Sequence, residues 1–464
     1  MELDPLFLSR LQFAFVVSFH AIFPVFTIGL ASFIAVLKLM YVLRGNPVFD
    51  ELSVFWTRVF AVVFGMGVVS GIVMSFQFGT NWSVFSYAAA NFIGPVISYE
   101  VLTAFFLEAV FLGVLLFGRD RVPAGVHLFA AVMVAVGTMI SSFWILSVNS
   151  WMQTPAGVRF EEGLFHVQSW SEAIFNPSLA HRLPHVLLAS FLTGAVVVLG
   201  VSAWFLRQGR QRHLFLPALR MAVVMLAVAA PLQLLVGDAH GRNTLAYQPE
   251  KIAAIEGIWE TERGVPLLLF AIPDQDGERN LFEVGIPRGA SLILTHDPDG
   301  ALRGLKEWPA AERPPVFPVF WSFRVMVGIG LVLIVLGAWG LWRMARGRLG
   351  ENGLYLRLAS WSIPLPFIAV LAGWFVTEIG RQPWVVYGLM DHAAALTPSL
   401  SGPMALTSLV GYALVYALVF VTGLSTLRRV IMAGPEAGSG GDRYAHAKRP
   451  LAMAGQTDST RETV

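Results

Sequence analysis

Long uninterrupted apolar stretches constrain this chain of 464 residues more than any other feature of its sequence. A helix needs about 20 consecutive apolar residues to cross the hydrocarbon core of a bilayer. Stretches of this kind predict spans near 13–43, 54–77, 93–118, 125–149, 185–206, 215–237, 317–344, 358–379 and 405–428. Because backbone polar groups in lipid must be satisfied within the span, the sequence predicts an all-α membrane protein of about nine transmembrane helices.

The composition supports a membrane protein and excludes several kinds of site. Hydrophobic residues make up 56% of the chain and charged residues 13%, which is too apolar for an ordinary soluble domain. The net charge is +2 and there is no basic tract, so no nucleic-acid partner is expected. The chain has no cysteine, which excludes disulfides, iron–sulfur clusters and thiolate-bound metals. Any cofactor must therefore be held by His, Met, carboxylate, Arg or backbone groups.

Positive charge alternates between the connections and predicts the orientation of the chain. The connections after spans one, three, five, seven and nine carry the basic side chains Arg44, Arg119, Arg121, Arg207, Arg210, Arg212, Arg343, Arg346, Arg348, Arg357, Arg428 and Arg429. By the positive-inside rule these connections are cytoplasmic, so the N-terminus is predicted to be periplasmic and the C-terminus cytoplasmic. The first apolar stretch has no preceding basic region, and we expect it to be a retained helix rather than a signal peptide.

This orientation divides the chain into four segments. Residues 1–237 hold transmembrane helices one to six, and residues 238–316 form a long periplasmic loop. Residues 317–433 hold helices seven to nine. The segment 434–464 is rich in Gly, Ala and charged residues, which predicts a disordered cytoplasmic tail.

Ionisable and sulfur-containing side chains collect near the predicted outer ends of the spans. They are His20, Glu100, Glu108, His185, Arg324, Met326 and Glu378. An ionisable group inside a membrane costs free energy and is a functional-site hypothesis by default. Since these residues agree on one side of the membrane, we predict a shared site near the outer surface.

Each of these residues also has a structural interpretation. His20 or His185 alone could be a hydrogen-bonding residue between helices, and Met326 alone could be core filler. Glu100 lies near the membrane edge, where a carboxylate needs no function. The stretch "AFFLEAVFLG" makes the same interpretation difficult for Glu108.

The stretch "GWFVTEIGRQPW" places Glu378 and Arg381 three residues apart at the end of span eight. The two could form a structural ion pair. Gly380 and Pro383 indicate that the helix ends here, however, and predict that the two side chains diverge. We then expect Glu378 to point inward and Arg381 to neutralise carboxylate charge nearby.

Glu100 and Glu108 lie on one span. On a continuous α-helix they are about 12 Å apart along the axis and roughly 80° apart around it. That separation is compatible with two stations of a proton relay that leads inward.

The residue types available are those that hold haem. Neutral His and Met form an axial pair for low-spin haem, and His or a carboxylate can hold further irons. Arginine binds the propionates of haem as a planar fork. Arg324 and Met326 are two residues apart on a helix, so one can face a propionate while the other faces an iron. The chain has no C-x-x-C-H motif, which excludes covalent c-type haem.

Seven blocks, which occur in the expected order and cover nearly the whole chain to about Arg429, resemble subunit I of the cytochrome bd quinol oxidases. The blocks are "SRLQFAFVVSFHAIFP" at the start, "QFGTNW" at 77–82, "WILSVNSWMQTP" at 144–155, "PEKIAAIEG" at 249–257, "FAIPDQ" at 270–275, "FWSFRVMVG" at 320–328 and "GWFVTEIGRQPW" at 373–384. The external loop lacks a long insertion and is similar to the cyanide-insensitive branch of this family.

The resemblance implies oxidation of membrane quinol outside and reduction of O₂ to water with protons taken from the cytoplasm, which generates a proton motive force. It implies a low-spin haem b, a high-spin haem b and a haem d, or a further haem b in its place. It also implies a bacterial inner-membrane location. The partners would be subunit II, a small single-helix accessory subunit and membrane lipid.

The resemblance also assigns the haem ligands. His185 and Met326 would ligate the low-spin haem b. His20 and Glu378 would serve the two high-spin haems, and the sequence leaves open which residue serves which haem. Glu100 would be a further ligand or a proton donor.

Four other residues acquire roles in the same way. Glu108 would belong to the proton path. Arg324 and Arg381 would assist the haems electrostatically, and Trp374 would contact a haem.

In the external loop, Lys251 and Glu256 match the quinol-site pair of the family. Pro249 is placed to begin a short helix. An apolar stripe at helical spacing then follows, formed by Ile252, Ile255, Ile258 and Trp259. We expect the stripe to lie on the membrane surface beside a quinol, with Lys251 and Glu256 off the stripe.

Two alternatives remain open at the level of sequence. The first is a proton-coupled secondary transporter that uses Glu100, Glu108 and Glu378. Against it, no internal repeat is apparent and Gly/Pro breaks do not recur in matched halves. The second is a purely structural membrane subunit without a cofactor.

Overall fold

The computed structural model describes residues 3–435, and 74% of these described residues are helical. The helices are α1 (Pro5–Arg44), α2 (Pro47–Thr80), α3 (Ser83–Glu100), α4 (Phe106–Phe117), α5 (Ala124–Gln153), α6 (Trp170–Ile174), α7 (Leu179–Arg207), α8 (Arg212–Tyr247), α9 (Pro249–Glu256), α10 (Gly289–Thr295), α11 (Val316–Ala345), α12 (Leu354–Trp361), α13 (Leu365–Ile379), α14 (His392–Ala395) and α15 (Gly402–Ala433). A π-helical segment, Val101–Phe105, joins α3 to α4.

The helices confirm the predicted fold class. Within the described residues, eight helical stretches are long and apolar enough to cross a membrane. In one of these stretches, α3 and α4 act as a single span. Helices α12 and α13 meet at 42° and form a ninth, broken span.

The end of one predicted span differs from the sequence prediction. Helix α8 continues beyond residue 237 to Tyr247, so the loop that follows begins later than predicted. Asn243 fastens this part of α8 to the residues just before α7, because its Nδ2 donates to Pro177 O and its Oδ1 accepts from Ser178 Oγ, both at 3.1 Å. The predicted disorder of the tail falls almost wholly on residues 436–464, which lie outside the described part of the chain.

Short strands occur in three of the connections that were predicted to be periplasmic. They are β1 (Val158–Glu161), β2 (Leu164–Val167), β3 (Glu262–Arg263), β4 (Leu267–Asp274), β5 (Arg279–Ile286), β6 (Ala301–Leu302), β7 (Trp384–Val386) and β8 (Met390–Asp391). They pair antiparallel as β1–β2, β3–β6, β4–β5 and β7–β8. We call the side of the helix bundle that carries these strands the hairpin end.

Helices α1 and α7 form the centre of the bundle. Their most apolar windows are 67% and 72% buried, whereas those of the other spanning helices are at most 33% buried. The two helices touch at Gly29 and Gly194, where a Cβ on either residue would overlap the backbone of the other helix. Small residues give this close approach in membranes, where apolar side chains gain little by leaving lipid. The closely packed pair fixes the depth of His20 on α1 and of His185 on α7.

Candidate functional site

Glu378 and Arg381 form an ion pair at the hairpin end of α13. Arg381 Nη2 donates to Glu378 Oε2 at 2.5 Å. The predicted divergence of the two side chains is therefore wrong. Gly380 keeps right-handed helical dihedrals, φ −69° and ψ −9°, so the turn continues far enough to hold residues three apart on one face.

A second guanidinium reaches Glu378 through an amide. Asn149 Nδ2 donates to Glu378 Oε1 at 3.0 Å, and Arg182 Nη2 donates to Asn149 Oδ1 at 2.8 Å. Arg182 and Arg381 are each only 6% exposed. The site therefore buries two guanidinium groups against one carboxylate, and this excess of positive charge needs an anion to balance it.

Several donors of these guanidinium groups have no protein partner. Nε and Nη1 of Arg381 and Nε of Arg182 are buried without a hydrogen bond. Buried polar atoms in native structures are nearly always paired, so each of these atoms indicates a group that the protein is built to receive. A haem propionate supplies the carboxylate oxygens that such donors bind. The haems implied by the resemblance therefore fit this cluster.

Glycines face three of the side chains predicted to hold iron. A Cβ added at Gly71 would lie 3.0 Å from His20 Cε1, and one at Gly237 would lie 3.5 Å from His185 Cε1. The third pair is Gly373 and Met326, where the added Cβ would lie 3.0 Å from the Met326 sulfur. A Cβ at Gly71 or Gly373 would therefore crowd the proposed ligand, whereas one at Gly237 would make ordinary contact.

The two histidines are held differently. His20 Nδ1 is 2.9 Å from Ser70 Oγ on α2, a contact that orients the ring and leaves Nε2 for another partner. A hydrogen bond on the second ring nitrogen is the usual support for a metal-bound histidine. His185 Nδ1 is buried without a partner, and its ring centroid is 5.4 Å from that of His240 on α8. Both rings therefore fit iron ligation.

Trp374 is half-buried on α13, between Gly373 and the ion pair. It precedes Glu378 by four residues, so the two side chains share a helix face. This position is compatible with the predicted contact to a haem.

The π-helical segment changes the geometry of Glu100 and Glu108. Because its hydrogen bonds run to the fifth residue, the Phe106 N–H bonding to Val101 O, it takes up one extra residue in its turn. The eight-residue separation then equals about two turns, and the angle between the two carboxylates falls from roughly 80° to roughly 20°. The estimate from a continuous α-helix is therefore wrong.

Helix α5 contacts both carboxylates from one face. Ser141 Oγ donates to Glu100 Oε1 at 2.7 Å. Four residues earlier, Gly137 lies so close to Glu108 that an added Cβ would be 2.6 Å from Glu108 Cγ. Because residues four apart share a helix face, Gly137 and Ser141 present one face of α5 to both carboxylates. We call the row formed by this face, Glu100 and Glu108 the polar seam of the apolar bundle.

Helix α9 is buried rather than exposed on the membrane surface. The predicted apolar stripe, Ile252, Ile255, Ile258 and Trp259, packs inside the protein with Val316 and Val319 of α11. The prediction that this stripe lies on the membrane is wrong because the rest of the loop folds over the helix and covers it. The opposite side of α9 is buried as well, against side chains from α5 and the end of α13.

Lys251 and Glu256 are buried on this helix. Lys251 Nζ lies 2.5 Å from the side-chain oxygens of both Gln153 and Gln248. Burial lowers the pKa of Lys251 well below its usual value. Burial also raises the pKa of Glu256, while the neighbouring Arg324 opposes that rise. Burial thus shifts both groups toward their neutral forms, which suits groups that accept or give up a proton.

Arg324 binds the loop. Its guanidinium donates to Ile255 O at 2.5 Å and to Leu268 O at 2.9 Å, and it lies 3.4 Å from Glu256 Oε2. Its predicted role beside a haem propionate stays a prediction, because its donors here serve α9 and β4.

Sequence reasoning missed several members of the site. Asn149 and Gln153 lie four residues apart in the block "WILSVNSWMQTP", and polar residues at that spacing in an apolar helix were the available signal. Arg182 was not among the predicted site residues. Its position three residues before His185 was a signal that it lies at the same level of the membrane.

The sequence matches one family of known proteins over nearly its whole length. Residues 8–435 match the family model described as cytochrome bd terminal oxidase subunit I. The chain is 35% identical over 445 residues to the cytochrome bd ubiquinol oxidase subunit 1 of Bacillus subtilis, and the alignment covers 94% of this chain and 95% of that protein. It is 33% identical over 504 residues to the cytochrome bd-II ubiquinol oxidase subunit 1 of Escherichia coli, with coverage of 94% and 98%.

A solved structure shares the fold. The bd oxidase from Geobacillus thermodenitrificans superposes with a TM-score of 0.87 at 31% sequence identity. The match covers 93% of this chain and 99% of the matched chain.

Proposed function

The chain belongs to the cytochrome bd terminal oxidase subunit I family of bacterial inner-membrane respiratory oxidoreductases, and from this premise we propose the finer assignments below. We propose that it holds three haems near the hairpin end, oxidises quinol there, and reduces O₂ to water with cytoplasmic protons. The observation that carries this proposal is the buried, incompletely paired cluster of Arg182 and Arg381 around Glu378. Family membership favours this function over the transporter and the purely structural subunit.

His185 and Met326 would hold the low-spin haem b. His20 and Glu378 would serve the high-spin haem b and the haem d, or a further haem b in its place, and Glu100 would be an added ligand or proton donor. When bound, the haems carry single electrons from quinol to O₂. Glu378 already accepts hydrogen bonds from two partners, but a carboxylate offers about four lone-pair sites and keeps capacity for an iron.

The polar seam supplies the proton path in this proposal. Glu108 lies nearer the end opposite the hairpins, and Glu100 lies nearer the Glu378 cluster. The π-helical segment turns both carboxylates toward α5, so a proton can pass between them along one face. Protons taken from the cytoplasm at one end and released from quinol at the other would generate a proton motive force.

Glu256 and Lys251 would form the quinol site. A quinol that loses electrons must also lose protons, and a deprotonated Glu256 can accept one. Arg324 would hold that carboxylate in place through its contact with Glu256 Oε2.

The assembly would contain subunit II and a small single-helix accessory subunit. The N-terminus would be periplasmic and the C-terminus cytoplasmic, with the loop that contains α9 in the periplasm. The exposed apolar surfaces of the spanning helices would contact lipid and these partners.

The low-spin haem gives the first prediction. His185→Ala should abolish the reduced α-band of that haem because the ligand is lost. Met326→Leu should weaken or shift the band, since leucine has a similar volume but no sulfur. Reduced-minus-oxidised spectra of the purified complex measure both effects. Two matched controls should leave the band unchanged. They are Met344→Leu, near the C-terminal end of α11, and His213→Ala at an exposed position. Normal low-spin spectra in both ligand variants would refute the assignment.

The proton path gives the second prediction. In Gly137→Ala the new methyl group would clash with Glu108 Cγ and displace the carboxylate. Quinol-dependent O₂ consumption should fall by about tenfold or more, as misplacement of a catalytic group by about 1 Å can cause. The haem spectrum should persist, and the infrared C=O band of Glu108 should shift.

Gly113→Ala is the control for that variant, because nothing lies within 4 Å of a Cβ at this position on α4. It should retain both turnover and the infrared band. Equal turnover in Gly137→Ala and Gly113→Ala would remove Glu108 from the proton path.

The quinol site gives the third prediction. Glu256→Gln and Lys251→Ala should impair quinol oxidation and leave the haem spectrum intact. In the wild type, kcat/KM for quinol should rise with pH through the raised pKa of Glu256, because only the deprotonated carboxylate accepts the proton. This rise of kcat/KM with pH should be absent in Glu256→Gln. Glu260→Ala, an exposed residue just after α9, should behave as wild type. Wild-type turnover in both site variants would place the quinol site elsewhere.

A further inference from the structure

The β4–β5 hairpin presents an apolar face to its surroundings. Six apolar side chains of the hairpin are exposed by 37% to 76%, and we call this set its apolar face: Leu269, Phe270, Ile272, Phe282, Val284 and Ile286. Phe270 and Val284 are directly paired across the two strands, so they extend one surface. A soluble protein rarely leaves a contiguous apolar surface of this kind in water.

The other face of the hairpin is fastened to a spanning helix. Leu268 and Ala271 are buried against Phe320 of α11. Phe270 belongs to the exposed face but lies at its edge, where it packs edge-to-face on Trp321 with the ring centroids 5.3 Å apart. The hairpin therefore lies over the first turns of α11 and does not stand away from the bundle.

The apolar face continues onto the surface of α11 that lies in the membrane. Phe317, Trp321 and Val325 are spaced by four residues, so they form one stripe along the helix. Phe317 and Val325 are exposed, and Trp321 between them carries Phe270. Aromatic residues at such a position are typical of the membrane–water boundary. The exposed face of the hairpin is therefore continuous with the exposed surface of the spanning helix α11.

The acidic residues of the hairpin lie at or next to its tip, except Glu283, which is exposed on β5 and accepts from Asn280 Nδ2 at 2.8 Å. Asp274 ends β4, the turn that follows contains Asp276 and Glu278, and the Gly277 N–H donates to Asp274 Oδ1 at 3.0 Å. This charged turn suits water, whereas the strands suit an apolar medium. Such a division is expected of a segment that lies flat in the interface and not of one that inserts tip-first.

We propose that the apolar face of the β4–β5 hairpin lies at the membrane–water interface on the hairpin end of the bundle, with lipid as its occupant. The hairpin is also connected to the proposed quinol site, because Leu268 O accepts from Arg324, which contacts Glu256. A hydrophobic quinol can then reach Glu256 along the hairpin without crossing water. This second step rests on the proposed function, and the first does not.

Spin labels test the lipid contact directly. The chain has no cysteine, so one introduced cysteine is its only labelling site, and the unsubstituted complex gives the background from other subunits. Phe282→Cys and Val284→Cys would be labelled with a nitroxide in the purified complex in lipid nanodiscs. Val335→Cys on the exposed surface of α11 is the lipid control, and Asp276→Cys at the tip is the water control.

Labels at residues 282 and 284 should collide with dissolved O₂ more than with a water-soluble nickel chelate, as at residue 335, and residue 276 should show the reverse. Preferential collision with the nickel chelate at both positions would place the face in water and overturn the proposal. Immobilised labels that neither reagent reaches would show that a protein covers the face, which also overturns it.

A charge variant tests the quinol step separately. Val284→Asp should raise the apparent KM for a long-chain quinol about fivefold, the factor that corresponds to losing roughly 1 kcal/mol of apolar burial. The KM for a short, water-soluble quinol and the haem spectrum should not change. Glu283→Ala, the polar neighbour, is the control. An unchanged long-chain KM would remove the quinol step, while loss of activity with both quinols would point instead to damage at Glu256.

Discussion

The buried positive charge around Glu378 is the constraint on which the rest of this structure depends. Two buried guanidinium groups, Arg182 and Arg381, meet one partly buried carboxylate, and some of their donors have no protein partner. In a low-dielectric interior such a cluster is costly unless an anionic group completes it. Haem propionates would complete this cluster. Three predicted iron ligands, each faced by a glycine, occur at the same end of the bundle, as a haem bound there requires.

Much of this arrangement could be predicted from the sequence. Apolar run length sets the spans because lipid imposes a fixed helix length, and this local rule held for all nine predicted helices. Sequence blocks identified the ligand candidates. The errors have a common origin in contacts between distant segments. The apolar stripe on α9 looked like a membrane-facing surface, but the loop folds over it and α11 packs on it.

Two further errors concern where the helical backbone is regular. The π-helical segment between Glu100 and Glu108 depends on how α4 packs on α5, where Gly137 admits the Glu108 side chain. No local pattern in the sequence marks it. At the end of α13, Gly380 was expected to end the turn, yet it keeps helical dihedrals and leaves Glu378 and Arg381 in contact. In both places a backbone difference of a single residue decides which side chains are in contact.

The haem content of the Glu378→Ala complex tests the central claim most directly. The measurement is the haem-to-protein ratio together with the CO-difference spectrum of the purified variant. If Glu378 serves a high-spin haem, the variant should lose that haem and most CO binding while the low-spin haem held by His185 and Met326 remains. If Glu378 is only the partner of Arg381, the variant would be less stable, but the protein recovered would contain all its haems and bind CO normally. That second result would contradict the account.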